Sequence, residues 1–296
     1  MGGIGFIGIG NMGWPMAANL VKAGFSVAVA DARRLQAERF AQEVGGFAPD
    51  TLAELAAGAE LIITMLPTSA AVASVLDEMG GALRPGTVLI DMTSGAPTET
   101  RAIGARLAAL GCAMVDAPVS GGVSRAVTGQ LAIMLGGEDA AVARVEAVLA
   151  AMGGSVLRTG GLGSAHAMKA LNNLVSAGGF LIGIEALLIG QRFGLDPAVM
   201  VDVLNASTGM NNATQKKFKQ FVLSRTFDSG FGLDLMLKDL TIALGVARET
   251  GTPAPVSSLC RELSAAARAM LGAGADHTEL AKLGEALAGV TLSEKV

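Results

Sequence analysis

Along residues 3 to 160 short apolar runs recur, separated by segments whose apolar positions return every three or four residues. This pattern predicts strands alternating with helices. Residues 3 to 9, Phe25 to Ala30, Leu61 to Leu66, Thr87 to Asp91, Cys112 to Asp116, Leu131 to Leu135 and Ser155 to Arg158 give seven strands. Several of these runs are apolar without alternation, as in parallel strands covered on both faces. After Gly160-Gly161-Leu162-Gly163 the pattern changes and no convincing strand remains. Ser164 to Phe193 is periodic throughout and closed by Gly194, and Asp196-Pro197 restarts a helix that stops near Thr208-Gly209. Asn212 with Gln215 and Asp276 with Glu279 read as capping boxes, and Leu233 to Thr250 and Val256 to Gly272 are further helices. The expected architecture is an α/β domain over residues 1–163 followed by an all-α domain over 164–296.

The turn after the first strand carries chemistry. Gly8-Ile9-Gly10-Asn11-Met12-Gly13 joins the strand to a helix that stops at Gly24. In a dinucleotide-binding turn Gly8 permits the tight bend, Gly10 lets the backbone approach a pyrophosphate, and Gly13 lets helix and strand pack closely. Asp31 ends the second strand 18 residues after Gly13, where a carboxylate takes the ribose 2′-hydroxyl of NAD and repels the 2′-phosphate of NADP. Arg33 and Arg34 pull the other way, since guanidinium groups there could hold that phosphate. The acidic residue favours NAD.

Ligands bind beyond the carboxyl ends of such strands. There stand Leu66-Pro67-Thr68, placed to lie against a nucleoside, Met92-Thr93-Ser94 with its hydroxyls, and Ser120-Gly121-Gly122, whose backbone N–H groups suit a carboxylate. Each is equally readable as ordinary turn chemistry. On the next helix Lys169, Asn172 and Asn173 share a face, being three and four residues apart. Among apolar neighbours a lysine can be tuned to roughly pH 7 to 8 and exchange a proton with a substrate hydroxyl. His166, one turn earlier, is the competing proton carrier, although a lone helical histidine is more often packed or capping. Lys238-Asp239 reads equally as an exposed pair, and Lys216, Lys217 and Lys219 as a solvated face.

Composition narrows the field. The 296 residues carry a formal charge of -4, which argues against nucleic-acid binding. Two isolated cysteines, Cys112 and Cys260, suit a reducing cytosol and support neither a disulfide framework nor a metal site. The two histidines lack ligand-spaced partners, which argues against a catalytic metal. The N-terminus lacks the features of a signal peptide. Leu174 to Gly190, interrupted by Glu185, is shorter than a bilayer span and reads as a helix buried on nearly all sides. A helix of that kind often needs a partner surface, so a homodimer or homotetramer is expected, with no membrane partner.

Taken together, Gly5-Phe6-Ile7-Gly8-Ile9-Gly10-Asn11-Met12-Gly13-Trp14-Pro15-Met16, Asp116-Ala117-Pro118-Val119-Ser120-Gly121-Gly122, Lys169 with Asn172-Asn173, and Lys238-Asp239 resemble the β-hydroxyacid dehydrogenases in the order of that family's motifs. The resemblance implies a Rossmann-like NAD(P)-binding domain, an all-helical domain and a site between them. It also implies that Lys169 is the acid/base, that Ser120, Gly121 and Gly122 bind a carboxylate, and that Asn173 positions the substrate. Lys238 would border the nicotinamide, and Leu66, Pro67 and Ser94 match cofactor-contacting positions. The implied substrate is a small 3-hydroxyacid or its semialdehyde. Ala165 and His166 stand where the family commonly has Gly and Gln, which leaves the particular acid open. A nucleotide-binding scaffold without activity and an imine reductase are the competing readings.

Overall fold

A computed structural model describes residues 3–292, which divide into two compact units, one running to Lys169 and the other starting at Ala170. The first unit is built on one sheet. Its strands are β1 (Gly3–Ile7), β2 (Val27–Ala30), β3 (Ala59–Thr64), β4 (Val88–Asp91), β5 (Ala113–Asp116), β6 (Val119–Ser120), β7 (Leu131–Gly136) and β8 (Gly153–Gly160). They lie in the order β2-β1-β3-β4-β5-β7-β6, with β8 paired to β7. The five from β2 to β5 are parallel, whereas β7 runs antiparallel to β5 and β6. The parallel sheet that the sequence suggests is therefore a mixed one. An apolar run such as Leu131–Leu135 specifies burial on both faces but not strand direction.

Helices α1 (Gly13–Lys22), α2 (Arg34–Glu43), α3 (Leu52–Gly58), α4 (Ser69–Met79), α5 (Pro97–Ala109), α6 (Gly122–Val127) and α7 (Asp139–Ala150) cover the two faces. Successive strand residues point to opposite sides. Thus Ile63, Ile90 and Val115 join one core with Met16, Leu20, Val142 and Val145, while Ile62, Leu89 and Met114 join another with Leu55, Leu76 and Leu107. This double burial explains the unbroken apolar runs Leu61–Ile63, Val88–Ile90 and Ala113–Val115 within those strands.

The second unit is helical: most of α8 (Ser164–Phe193), then α9 (Pro197–Asn205), α10 (Asn212–Lys216), α11 (Leu233–Glu249), α12 (Pro255–Leu271) and α13 (Leu280–Ala288). Its core gathers Phe180, Ile184, Leu187, Val201, Phe218 and Leu280. Asp196 caps α9 as expected, and the Asp276/Glu279 capping box is present ahead of α13. The box before α10 falls one residue earlier than expected, on Asn211 and Thr214, because the buried Thr214 hydroxyl can return the bond to the Asn211 backbone. A π-helical turn, Phe218–Leu223, follows. The 30-residue α8 is long and apolar enough to cross a membrane, and 44% of its most apolar window is buried within the protein. It is not covered on nearly all sides: Val175, Ile182 and Ile189 are each more than half exposed.

Candidate active site

The glycine turn closes as its three positions require. Gly8 has a φ of 95°, and a Cβ there would meet the Met65 carbonyl oxygen at 2.4 Å. At Gly13 a Cβ would lie 1.9 Å from the Gly8 carbonyl oxygen, so α1 can start against β1 only on a bare backbone. Gly10 has nothing within 4 Å of such an atom. Space is open where a pyrophosphate would approach, and a cavity of about 280 Å³ runs beside it along Gly10, Asn11, Trp14 and Gln36. Ile9 is buried and Asn11 exposed, with Met12 half-buried at the helix start. These residues fit a dinucleotide.

Asp31 stands at the end of β2 with its side chain 11% exposed. One carboxylate oxygen accepts from the Ile9 backbone N–H at 3.1 Å and the other from that of Arg33 at 3.0 Å. It thereby ties the second strand to the glycine turn. Arg34 is taken up by Glu38 and Asp50, whereas the Arg33 side chain is 72% exposed, with Nε 3.6 Å from Asp31.

The loops after β3 and β4 are joined side by side. The half-buried Leu66 donates its backbone N–H to the Thr93 hydroxyl at 3.1 Å, and Thr93 in turn donates its own to Asp91 at 3.1 Å. Thr93 is fully buried, so its hydroxyl holds the loops together, while the exposed Pro67 and half-buried Ser94 flank it. Ser120 closes β6, and Gly121 and Gly122 follow with φ of 131° and 67°. Both glycines are exposed and adopt backbone conformations that a side chain would strain.

Asp116, at the end of β5, prepares the lysine helix. Its buried carboxylate accepts from the backbone N–H groups of Gly163 at 2.9 Å and His166 at 2.8 Å, a negative charge at the positive end of α8. Gly136 makes room for it, since a Cβ there would sit 2.5 Å from Asp116 Oδ1. Lys169 follows on the first turns, half-buried, with Asn172 and Asn173 one turn further on. Asn172 donates to Asn173 Oδ1 at 3.1 Å, and Asn173 donates to Asp239 at 2.5 Å. Asp239 is 1% exposed and lies 3.6 Å from Lys238 Nζ. The Lys238-Asp239 pair is accordingly not an exposed one, and Asp239, which the sequence offers only as part of that pair, holds the Asn173 amide.

The basic run from the end of α10 into the π-helical turn also departs from expectation. Lys216 is exposed and Lys219 pairs with Asp202 at 2.6 Å, but burial lowers the Lys217 pKa, with Asp276 opposing. His277, for which the sequence offers no partner, lies 3.0 Å from Ser229 Oγ and 3.1 Å from the Phe231 carbonyl oxygen. Burial, reinforced by Lys217, lowers its pKa to about 4.

A nucleotide-binding sheet and a helical unit sharing a lysine helix define a pyridine-nucleotide oxidoreductase, and comparison with known proteins agrees. Residues 3–161 match the NAD binding domain of 6-phosphogluconate dehydrogenase, and residues 163–284 the NAD-binding domain of NADP-dependent 3-hydroxyisobutyrate dehydrogenase. The chain is 34% identical to 2-(hydroxymethyl)glutarate dehydrogenase of Eubacterium barkeri over 98% of its own length and 97% of the relative's. It is 35% identical to the mitochondrial 3-hydroxyisobutyrate dehydrogenase of Rattus norvegicus, over 88% and 80%. The 3-hydroxyisobutyrate dehydrogenase of Mycobacterium tuberculosis, solved with L-serine, superposes with a TM-score of 0.89 at 33% identity, covering 95% and 98%. An imine reductase of Streptomyces aurantiacus, at 22% identity and a TM-score of 0.63 over 95% and 99%, shares the fold alone. The chain belongs to the β-hydroxyacid dehydrogenase family and is an NAD(P)-dependent oxidoreductase.

Proposed function

We propose that the protein interconverts a small 3-hydroxyacid, of the 3-hydroxyisobutyrate or glycerate kind, and its semialdehyde, with Lys169 as acid/base. The observation that carries this reading is the α8 face on which Lys169, Asn172 and Asn173 fall, with Asn173 held by a buried carboxylate. Lys169 takes the hydroxyl proton as the carbinol C–H leaves as hydride, and the C–O bond becomes the carbonyl; in reverse it returns the proton to that oxygen. The nicotinamide, when bound, supplies the hydride acceptor. The backbone of Ser120 and of the exposed Gly121 and Gly122 receives the substrate carboxylate, and Asn172 and Asn173 orient the reacting carbon. Gly8 to Gly13, Asp31, Leu66, Pro67, Ser94 and Lys238 hold the dinucleotide. On this reading residues 1–163 bind the cofactor and residues 164–296 complete the substrate side and the oligomer.

NAD is the preferred cofactor in this proposal, because Asp31 is fixed at the strand end and Arg34 is committed to Glu38 and Asp50. The buried, unpaired cysteines support a cytosolic setting. A panel of 3-hydroxyacids assayed with NAD and NADP by reduced-nicotinamide absorbance tests the whole reading. Turnover with NAD as the better cofactor is expected. Lys169→Ala should lower kcat/KM by about 10²- to 10⁴-fold with cofactor binding intact. No turnover on any member, or an unaffected Lys169→Ala variant, would overturn it.

A further inference from the structure

His166 carries more than packing. It is 1% exposed, and its ring stands among three groups of the first unit. Nδ1 lies 2.7 Å from the Thr100 hydroxyl. Nε2 faces Asp91 Oδ2 at 3.9 Å, about 1 Å beyond a formed hydrogen bond, and neither atom has another hydrogen-bond partner. The other Asp91 oxygen is already engaged by the Thr64 hydroxyl at 2.9 Å and the Thr93 N–H at 3.1 Å. On its third side the ring meets the loop after β4: a Cβ at Gly95 would lie 3.0 Å from Cε1 and 3.1 Å from Nδ1.

The proton on the ring follows from its neighbours. Thr100 has one hydroxyl proton and two acceptors, Nδ1 and the Ala96 carbonyl oxygen at 3.0 Å. The tautomer in which Nδ1 accepts from Thr100 places the ring hydrogen on Nε2, facing a carboxylate oxygen that has no other donor. His166 thus presents its Nε2–H toward Asp91 Oδ2 across 3.9 Å.

We infer that Asp91 and His166 form a buried latch coupling the loop Met92–Gly95 to the first turn of α8, with His166 a positioning residue for Lys169. His166 is well placed for this. Its backbone N–H is held by Asp116 and its ring, bonded to Thr100, faces Asp91; the two carboxylates are register neighbours on adjacent strands, and Lys169 is three residues further along the same helix. The loop it grips supplies Ser94, proposed above to contact the cofactor. The latch thus aligns the proton-transfer group with the bed of the cofactor. A misplacement of about 1 Å in such an arrangement can cost on the order of 100-fold in rate.

The inference rests on Lys169 being the acid/base, so its test has one arm that needs no turnover. The chain has only two histidines, so nitrogen-15 spectra of the labelled enzyme resolve both. His166 should show a hydrogen on Nε2, and Asp91→Asn should move the His166 signals and leave those of His277 in place. An unprotonated Nε2, or no response to Asp91→Asn, overturns the latch even if the enzyme proves inactive on every hydroxyacid. In the kinetic arm, glutamine places its amide near the Nε2 position and asparagine near Nδ1. His166→Gln should keep kcat within about threefold, while His166→Asn should lose about tenfold or more and shift the alkaline limb of the kcat profile. Equal losses in the two variants, or none in either, overturn the positioning role.

Discussion

At the scale of single residues, carboxylates that are buried or nearly so fix the donors of the candidate site. Asp31, Asp91, Asp116 and Asp239 each hold a backbone N–H or a side-chain donor beside a candidate functional group. For Asp239 the held group is the Asn173 amide. By accepting from Nδ2, the carboxylate decides which way that amide points and leaves its oxygen toward Asn172. Asp239→Ala should cost about 1–3 kcal/mol in chemical denaturation, the usual penalty for a buried donor left without its acceptor. It should also raise the hydroxyacid KM by about tenfold, with cofactor affinity unchanged. Asp239→Asn, which retains an acceptor oxygen, should recover most of both. If Asp239→Ala left KM untouched, Asn173 would not be a substrate ligand.

At the scale of elements, the β1–turn–α1 unit separates two roles that glycine plays within six residues. Gly13→Ala places a methyl 1.9 Å from the Gly8 carbonyl oxygen and must push α1 off β1, so both the melting temperature and dinucleotide binding should fall. Gly10→Ala meets no protein atom within 4 Å. Its melting temperature should stay near wild type while dinucleotide binding, followed by fluorescence titration, weakens by about tenfold or more. A Gly10→Ala variant that binds normally would remove the pyrophosphate from that turn. The pattern of apolar positions was enough to find these elements, and all seven expected strands are present: burial on two faces leaves a continuous apolar run in β4 and β5, while the largely exposed β8 shows only a short one. What it could not show was set by tertiary pairing. β6 has two residues, too few for any period, and exists through its pairing with β7. The antiparallel course of β7 against β5 leaves no mark on composition. The π-helical turn Phe218–Leu223 repeats at neither the helical nor the strand period. In the candidate site, residue type and spacing singled out the glycines, Lys169 and the asparagines. The Asn173–Asp239 bond and the Asp91–His166 pairing stayed hidden because the partners lie 66 and 75 positions apart in sequence.

At the scale of the whole molecule, the exposed apolar stripe of α8 and the buried polar cluster of the second unit make separate predictions. Val175, Ile182 and Ile189 recur every seven residues and are each more than half exposed, the spacing with which a helix pairs with a second copy. We expect a homodimer or homotetramer by light scattering, and Ile182→Glu with Ile189→Glu should lower the mass to that of a smaller species. The second prediction concerns acid. His277 is buried between Phe180 and Phe231 and faces the cation of Lys217; with its pKa lowered to about 4 it is neutral in the native protein at neutral pH. Asp276 pulls the other way but does not offset burial. The unfolded chain binds this proton from about pH 6.5 downward, the native protein only near 4, so between those values the unfolded state holds more protons and stability falls as pH falls. The loss should reach about 3 kcal/mol at the acid end of the window, the free-energy equivalent of that shift. Asp276, whose own pKa is lowered, titrates below this window and adds a further loss there. Urea unfolding measured at intervals from pH 7 to 4 should show the decline. His277→Gln should be less stable at pH 7 but nearly flat across the window; a slope equal to wild type would assign the acid sensitivity to other groups.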